Sequence, residues 1–138
     1  MCMELFVASD QPIELSHGWR GQPYLTVQEV ADTDIGIRRH LTLPYLRHLG
    51  AHTGCSCGFK YGQPNAESTP EEEAAGRQSV AALHDFLKTQ LSAGASLQLL
   101  SRWFTEAFSP VEASDISIGS IGGDSFDLPE NAVWNVRP

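Results

Sequence analysis

Thr69-Pro70-Glu71-Glu72 opens the segment that most limits how this chain can fold. A threonine that caps, a proline at the first helical position and a glutamate three residues after the cap form a capping box. The acids of the first turn also sit at the positive end of the helix dipole. Val80, Leu83, Leu87 and Leu91 follow at helical spacing and Gly94 supplies a stop, so the sequence predicts one long amphipathic helix with a narrow buried stripe. A single long helix in mid-chain then asks what its apolar stripe packs against.

The flanking segments answer with strand patterns. Met3 to Ala8 puts Met3, Leu5 and Val7 on one face and Glu4, Phe6 and Ala8 on the other. Tyr24 to Val30 and Tyr45 to Leu49 read as two further strands before the helix. Leu97 to Phe104, Asp115 to Ile118 and Ala132 to Val136 read as three after it. Asp32 or Thr33 is placed to cap a short helix toward His40, with Ile37 and Leu41 on its buried side, and Pro44 stops it. Gln11 to Pro23, with two prolines and two glycines, is a long connection carrying Trp19, and Gly119 marks a bulge. The expected fold is therefore α+β, a single domain spanning 1–138. Its sheet is largely antiparallel with five to six strands, packed on one face by one long and one short helix.

At 138 residues and 41% hydrophobic content, one core suffices. A net charge of −8 and the lack of a basic face with interleaved aromatics argue against nucleic acid and anionic membrane surfaces. No run approaches the ~18 apolar residues of a membrane span, and an acid stands where a signal peptide carries basic residues. The expectation is a cytoplasmic protein with no membrane partner, and self-association is left open. Three cysteines, an odd number, do not make a disulfide framework.

Chemistry concentrates in Gly50-Ala51-His52-Thr53-Gly54-Cys55-Ser56-Cys57-Gly58-Phe59, which follows a strand. It lies inside residues 35–66, where Arg38, Arg39, Arg47 and Lys60 occur without any Asp or Glu. Thiolates and imidazoles together are zinc ligands, so His52, Cys55 and Cys57 are expected to supply three of four, with Cys2 as the fourth. His48 is a poor co-ligand, because four extended residues place it about 13 Å from His52 at ~3.3 Å per residue unless the chain folds back at Gly50. The same residues support a thiol reading, in which Cys55 and Cys57 are the reactive groups and basic neighbours favour the thiolate.

Three alternatives use the same chain. In the first, Gly50, Gly54 and Gly58 supply positive φ for a tight turn and the cysteines pack beneath it as small hydrophobes. In the second, the loop shapes a pocket or interface of a binding or assembly module, which is not an enzyme. In the third, removal of Met1 leaves Cys2 with a thiol and a free amine on one residue. That Met-Cys start resembles the start of N-terminal-nucleophile hydrolases, which implies Cys2 as nucleophile.

Overall fold

A computed structural model of the chain describes residues 3–59, 69–103, 112–122 and 131–138, with backbone alone for 32–35. Six strands, β1 (Met3–Ser9), β2 (Thr26–Gln28), β3 (Tyr45–Gly50), β4 (Leu97–Trp103), β5 (Ser114–Ser117) and β6 (Ala132–Arg137), form one sheet. Their order is β2-β3-β1-β4-β6-β5. Every pairing is antiparallel except β5 with β6, which run parallel. One 23-residue helix, α1 (Pro70–Ser92), accompanies them, and the fold class is the expected α+β domain.

The capping box is formed as read: Thr69 Oγ1 accepts from the Glu72 amide at 3.2 Å, and Glu72 returns a bond to the Thr69 amide at 3.3 Å. At the other end Ala93 caps and Gly94 takes φ +93, a conformation that favours glycine. Val80, Leu83 and Leu87 are buried, joined by Ser79 and Phe86, so the buried stripe is wider than the leucine spacing suggests.

β1 lies in the middle of the sheet and all seven of its residues are buried. Its alternation serves two cores rather than one. Met3, Leu5 and Val7 pack with Leu49, Leu99 and the α1 residues Val80, Leu83, Phe86 and Leu87. On the opposite face Phe6 and Ala8 pack with Leu46, Leu100, Val133, Ile37 and Leu41. The two helical segments thus cover opposite faces, which corrects the expectation that both lie on one side. Strand propensity alone does not reveal this, because alternation reports two faces and not which of them is covered.

The segment Asp32–His40 is a 3-10 helix whose cap position is Ala31, so the expected Asp32 or Thr33 cap is not the one used. Ile37 and Leu41 are nevertheless both buried, as their spacing required. β2 is shorter than the Tyr24–Val30 reading. Gly119 belongs to a 3-10 turn, Ile118–Ser120, and not to a bulge. The long connection holds Trp19 against α1: its Nε1 donates to Asp85 Oδ2 at 2.8 Å and its ring meets Phe86 edge-on. Among the described residues no helix is long and apolar enough to cross a membrane.

Candidate functional site

The Gly50–Phe59 segment closes a gap in the sheet. The β1–β3 ladder runs from Ser9↔Tyr45 to Leu5↔Leu49 and then ends as β3 turns away at Gly50. Backbone amides of a buried strand must find acceptors elsewhere when their partner strand leaves. Ser56 fills that place: its Oγ accepts from the Leu5 amide at 2.8 Å and donates to the Leu49 carbonyl at 2.6 Å, with no solvent exposure. One position along, Cys57 Sγ accepts from the Met3 amide at 3.1 Å. Phe59, fully buried in the core under α1, anchors the end of the 3-10 turn Ser56–Phe59.

The three glycines have different reasons for being there. Only Gly54 has positive φ, at +83, in the turn closed by the Gly54 amide on Ala51 O at 2.9 Å. Gly50 is required by close approach, since a Cβ there would stand 2.5 Å from Thr26 Oγ1, 2.7 Å from Gly54 O and 2.8 Å from Gln28 Nε2. At Gly58 a Cβ would stand 2.8 Å from Ala51 Cβ and 2.9 Å from His52 Cε1, so the imidazole lies directly over that glycine. The expectation of positive φ at all three therefore holds for one and is replaced by packing at the other two.

His52 is fixed by a residue the sequence did not single out. Ser79 of α1, fully buried, accepts from the His52 amide at 3.0 Å and sits 2.9 Å from its Nδ1. One serine hydroxyl thus holds both the backbone and the ring of His52. Cys55 and Cys57 are both reduced and half-buried. Cys55 Sγ lies 3.4 Å from Thr53 Oγ1, while Cys57 Sγ turns inward to β1. Among the described residues no three His, Cys, Asp or Glu side chains are grouped as ligands of one metal ion. Cys2, the fourth ligand of the expected set, lies outside the described residues, as does Lys60. The N-terminal-nucleophile reading falls on the same undescribed terminus.

A second polar cluster occupies the other face of the sheet. Glu4 of β1, only 7% exposed, receives Arg102 of β4 at 3.3 Å on Oε1 and has His48 Nε2 at 3.9 Å from Oε2. Phe6 lies beneath both partners, edge-on to His48 and under the Arg102 guanidinium at 5.6 Å. From His48 the chain of contacts goes on: Nδ1 meets Gln28 Oε1 at 3.3 Å, and Gln28 Nε2 donates to Thr26 Oγ1 at 2.7 Å and to Gly54 O at 3.2 Å. His48 and His52 therefore have different hydrogen-bond partners. The available signal for this cluster was an acid placed between Phe6 and Met3 in a strand with large apolar residues on both faces.

Burial, with the Arg39 and Arg102 cations, holds the His40 imidazole below its ordinary value on this same face. On the α1 side the Arg20 guanidinium, with the Trp19 indole, holds the Asp85 carboxyl below the usual carboxylate range. Comparison with known protein families, with curated proteins and with solved structures found no match to this chain.

Proposed function

We propose that the Gly50–Phe59 loop is a thiol–disulfide exchange site of a cytoplasmic protein, with Cys57 as the attacking thiol and Cys55 as the resolving one. The observation that carries this reading is the Met3 amide aimed at Cys57 Sγ from 3.1 Å, because an N–H donor on sulfur favours the thiolate over the thiol. A second thiol two residues away, on the more open side of the same turn, supplies the partner.

The step balances without a cofactor. The Cys57 thiolate attacks one sulfur of a small disulfide, the S–S bond breaks, and one thiolate leaves with the electron pair. The Cys55 thiolate then attacks Cys57 in the mixed disulfide and expels the second half of the substrate. The protein ends with a Cys55–Cys57 disulfide, the substrate becomes two thiols, and the two protons shed by the cysteines go to the two leaving groups. A Cys-x-Cys disulfide closes a small ring, which suits a bond that is made and reduced repeatedly.

Oxidised glutathione at neutral pH, followed by intact mass and peptide mapping, tests this. The wild-type chain is expected to lose two hydrogens and map to a Cys55–Cys57 link. Cys55→Ser is expected to stop at the glutathione adduct, and Cys57→Ser to remain unmodified. Two cysteines that react no faster than a free thiol would overturn the reading. The contact of Cys57 with Met3, the residue after Cys2 in sequence, supports a second reading, zinc held by His52, Cys55, Cys57 and Cys2. Near-stoichiometric zinc in untagged protein, lost in Cys55→Ser and Cys57→Ser, would favour that one instead.

A further inference from the structure

The connection from β1 to β2 leaves a cavity of about 320 Å³ against α1. Pro12, Ile13, Glu14 and Trp19 line it from the connection, and Phe86 and Gln90 line it from the helix. Its apolar side is a corner of two rings, Trp19 and Phe86, set at 88° with centroids 5.1 Å apart. Phe86 and Ile13 are buried and form the base, while Trp19 is half-buried. Gln90 stands four residues after Phe86 on α1, so its amide lies one turn along the same helix face.

The walls of this cavity are fastened by the protein itself. Trp19 is held at both ends, its Nε1 donating to Asp85 Oδ2 at 2.8 Å and its backbone amide to the Leu25 carbonyl at 2.9 Å. Arg47 of β3 donates from Nε to the Ile13 carbonyl at 2.9 Å. Ser16 and Val27 exchange both of their backbone bonds, at 3.0 and 2.9 Å. Glu14 therefore sits on a stretch tied to the sheet on either side of it. A pocket built in advance in this way binds without a further cost of ordering its loop.

Charge decides what fits. The two cations nearby are committed elsewhere: Arg20 lies over the indole at 5.2 Å and pairs with Asp85, and Arg47 is turned to the carbonyls of Ile13 and Leu46. Among the described residues neither Glu14 nor the Gln90 side chain carries a hydrogen bond or an ion pair. An ionised carboxylate only accepts, so Glu14 asks for a donor, and a cationic donor binds it best. The chain as a whole, at −8, also draws cations and repels anions. We propose that the cavity binds small amphipathic organic cations, with a primary ammonium held by Glu14 and Gln90 and an aromatic or branched body in the Trp19–Phe86 corner. The site shares no residue with the cysteine turn and stands or falls apart from it.

Three probes of one shape and different charge test this: 2-phenylethylammonium, 2-phenylethanol and phenylacetate, titrated at neutral pH into the whole chain and followed by 15N NMR of the Trp19 indole and the Gln90 side-chain amide. The ammonium is expected to shift both signals saturably, with a dissociation constant of about 10 mM or below for a ligand of roughly nine non-hydrogen atoms. The alcohol should bind about fivefold more weakly, because it makes a neutral hydrogen bond where the ammonium makes a charged one at an exposed residue. Phenylacetate should not bind. In Glu14→Gln the ammonium should fall to the level of the alcohol while the alcohol is unchanged, which separates the local carboxylate from the net charge of the chain. Absence of saturable shifts at Trp19 and Gln90 with every probe overturns the site. Equal affinity for the three probes in wild type, a comparison that needs no variant, overturns the choice of a cation, and so does ammonium binding that Glu14→Gln leaves intact.

Discussion

Single side chains here replace whole stretches of backbone pairing. Ser56 Oγ stands in for a third strand position by serving both the Leu5 amide and the Leu49 carbonyl with no exposure. Its loss leaves a buried N–H and a buried C=O without partners, and Ser56→Ala is expected to cost about 1–3 kcal/mol in urea unfolding. Gly54→Ala places a side chain at φ +83 and is expected to cost about 1–2 kcal/mol. Gly50→Ala strikes three groups at once and should exceed it. An order in which Gly54→Ala is the worse of the two glycine variants would contradict the packing account. None of these distinctions is visible in the sequence, where three glycines look alike, because a close approach depends on what another strand brings.

At the level of elements, α1 was legible almost in full, since its cap, its stripe and its stop are all local. The connection that docks on it was not. Trp19 and Arg20 both bind Asp85 of α1, a contact across more than sixty residues that no periodicity encodes. Asp85 in the fold holds its proton less tightly than in the unfolded chain, owing first to Arg20 and then to Trp19. Its contribution is therefore present above the ordinary carboxylate range and fades as pH falls through the lowered folded value. The pair is well exposed, so Asp85→Asn is expected to lower stability at neutral pH by less than about 1 kcal/mol. The gap between wild type and variant in urea midpoint should close in acid. A gap that persists at about pH 2, below the ordinary range of carboxylates, would assign the effect to packing of Trp19 instead.

For the whole molecule, the local alternation of β1 announced two faces and the spacing of Ile37 and Leu41 announced a buried side. Neither could say that they meet across the sheet from α1. The strand count and class were readable because both follow from local patterns. The second core and the parallel β5–β6 edge follow from topology. The Gly50–Phe59 loop was legible as a place and as a set of residue types. Ser79, Gln28 and the Glu4–Arg102 pair became visible only through strands and a helix distant in sequence.

Burial beside Arg39 and Arg102 has a pH consequence at this scale. Folded His40 binds a proton less readily than the unfolded chain does, so stability is complete above about pH 6.5, the ordinary imidazole value, and declines as pH falls below it. His40→Gln should flatten that decline, as measured by thermal midpoints across the range, and an unchanged slope would remove His40 as its source.

β1, the innermost strand, is also the earliest described part of the chain, and its β4 partner is paired as far away as Met3 with Trp103. A ribosome adding about 5–20 residues per second needs roughly 5–20 s to travel between those two positions. During that interval β1, a seven-residue segment with apolar side chains on both faces, can pair with β3, which is made earlier, while the edge that β4 takes stays unpaired. Synthesis paused before Trp103 therefore leaves a central strand with one edge open, the kind of edge that pairs with other chains.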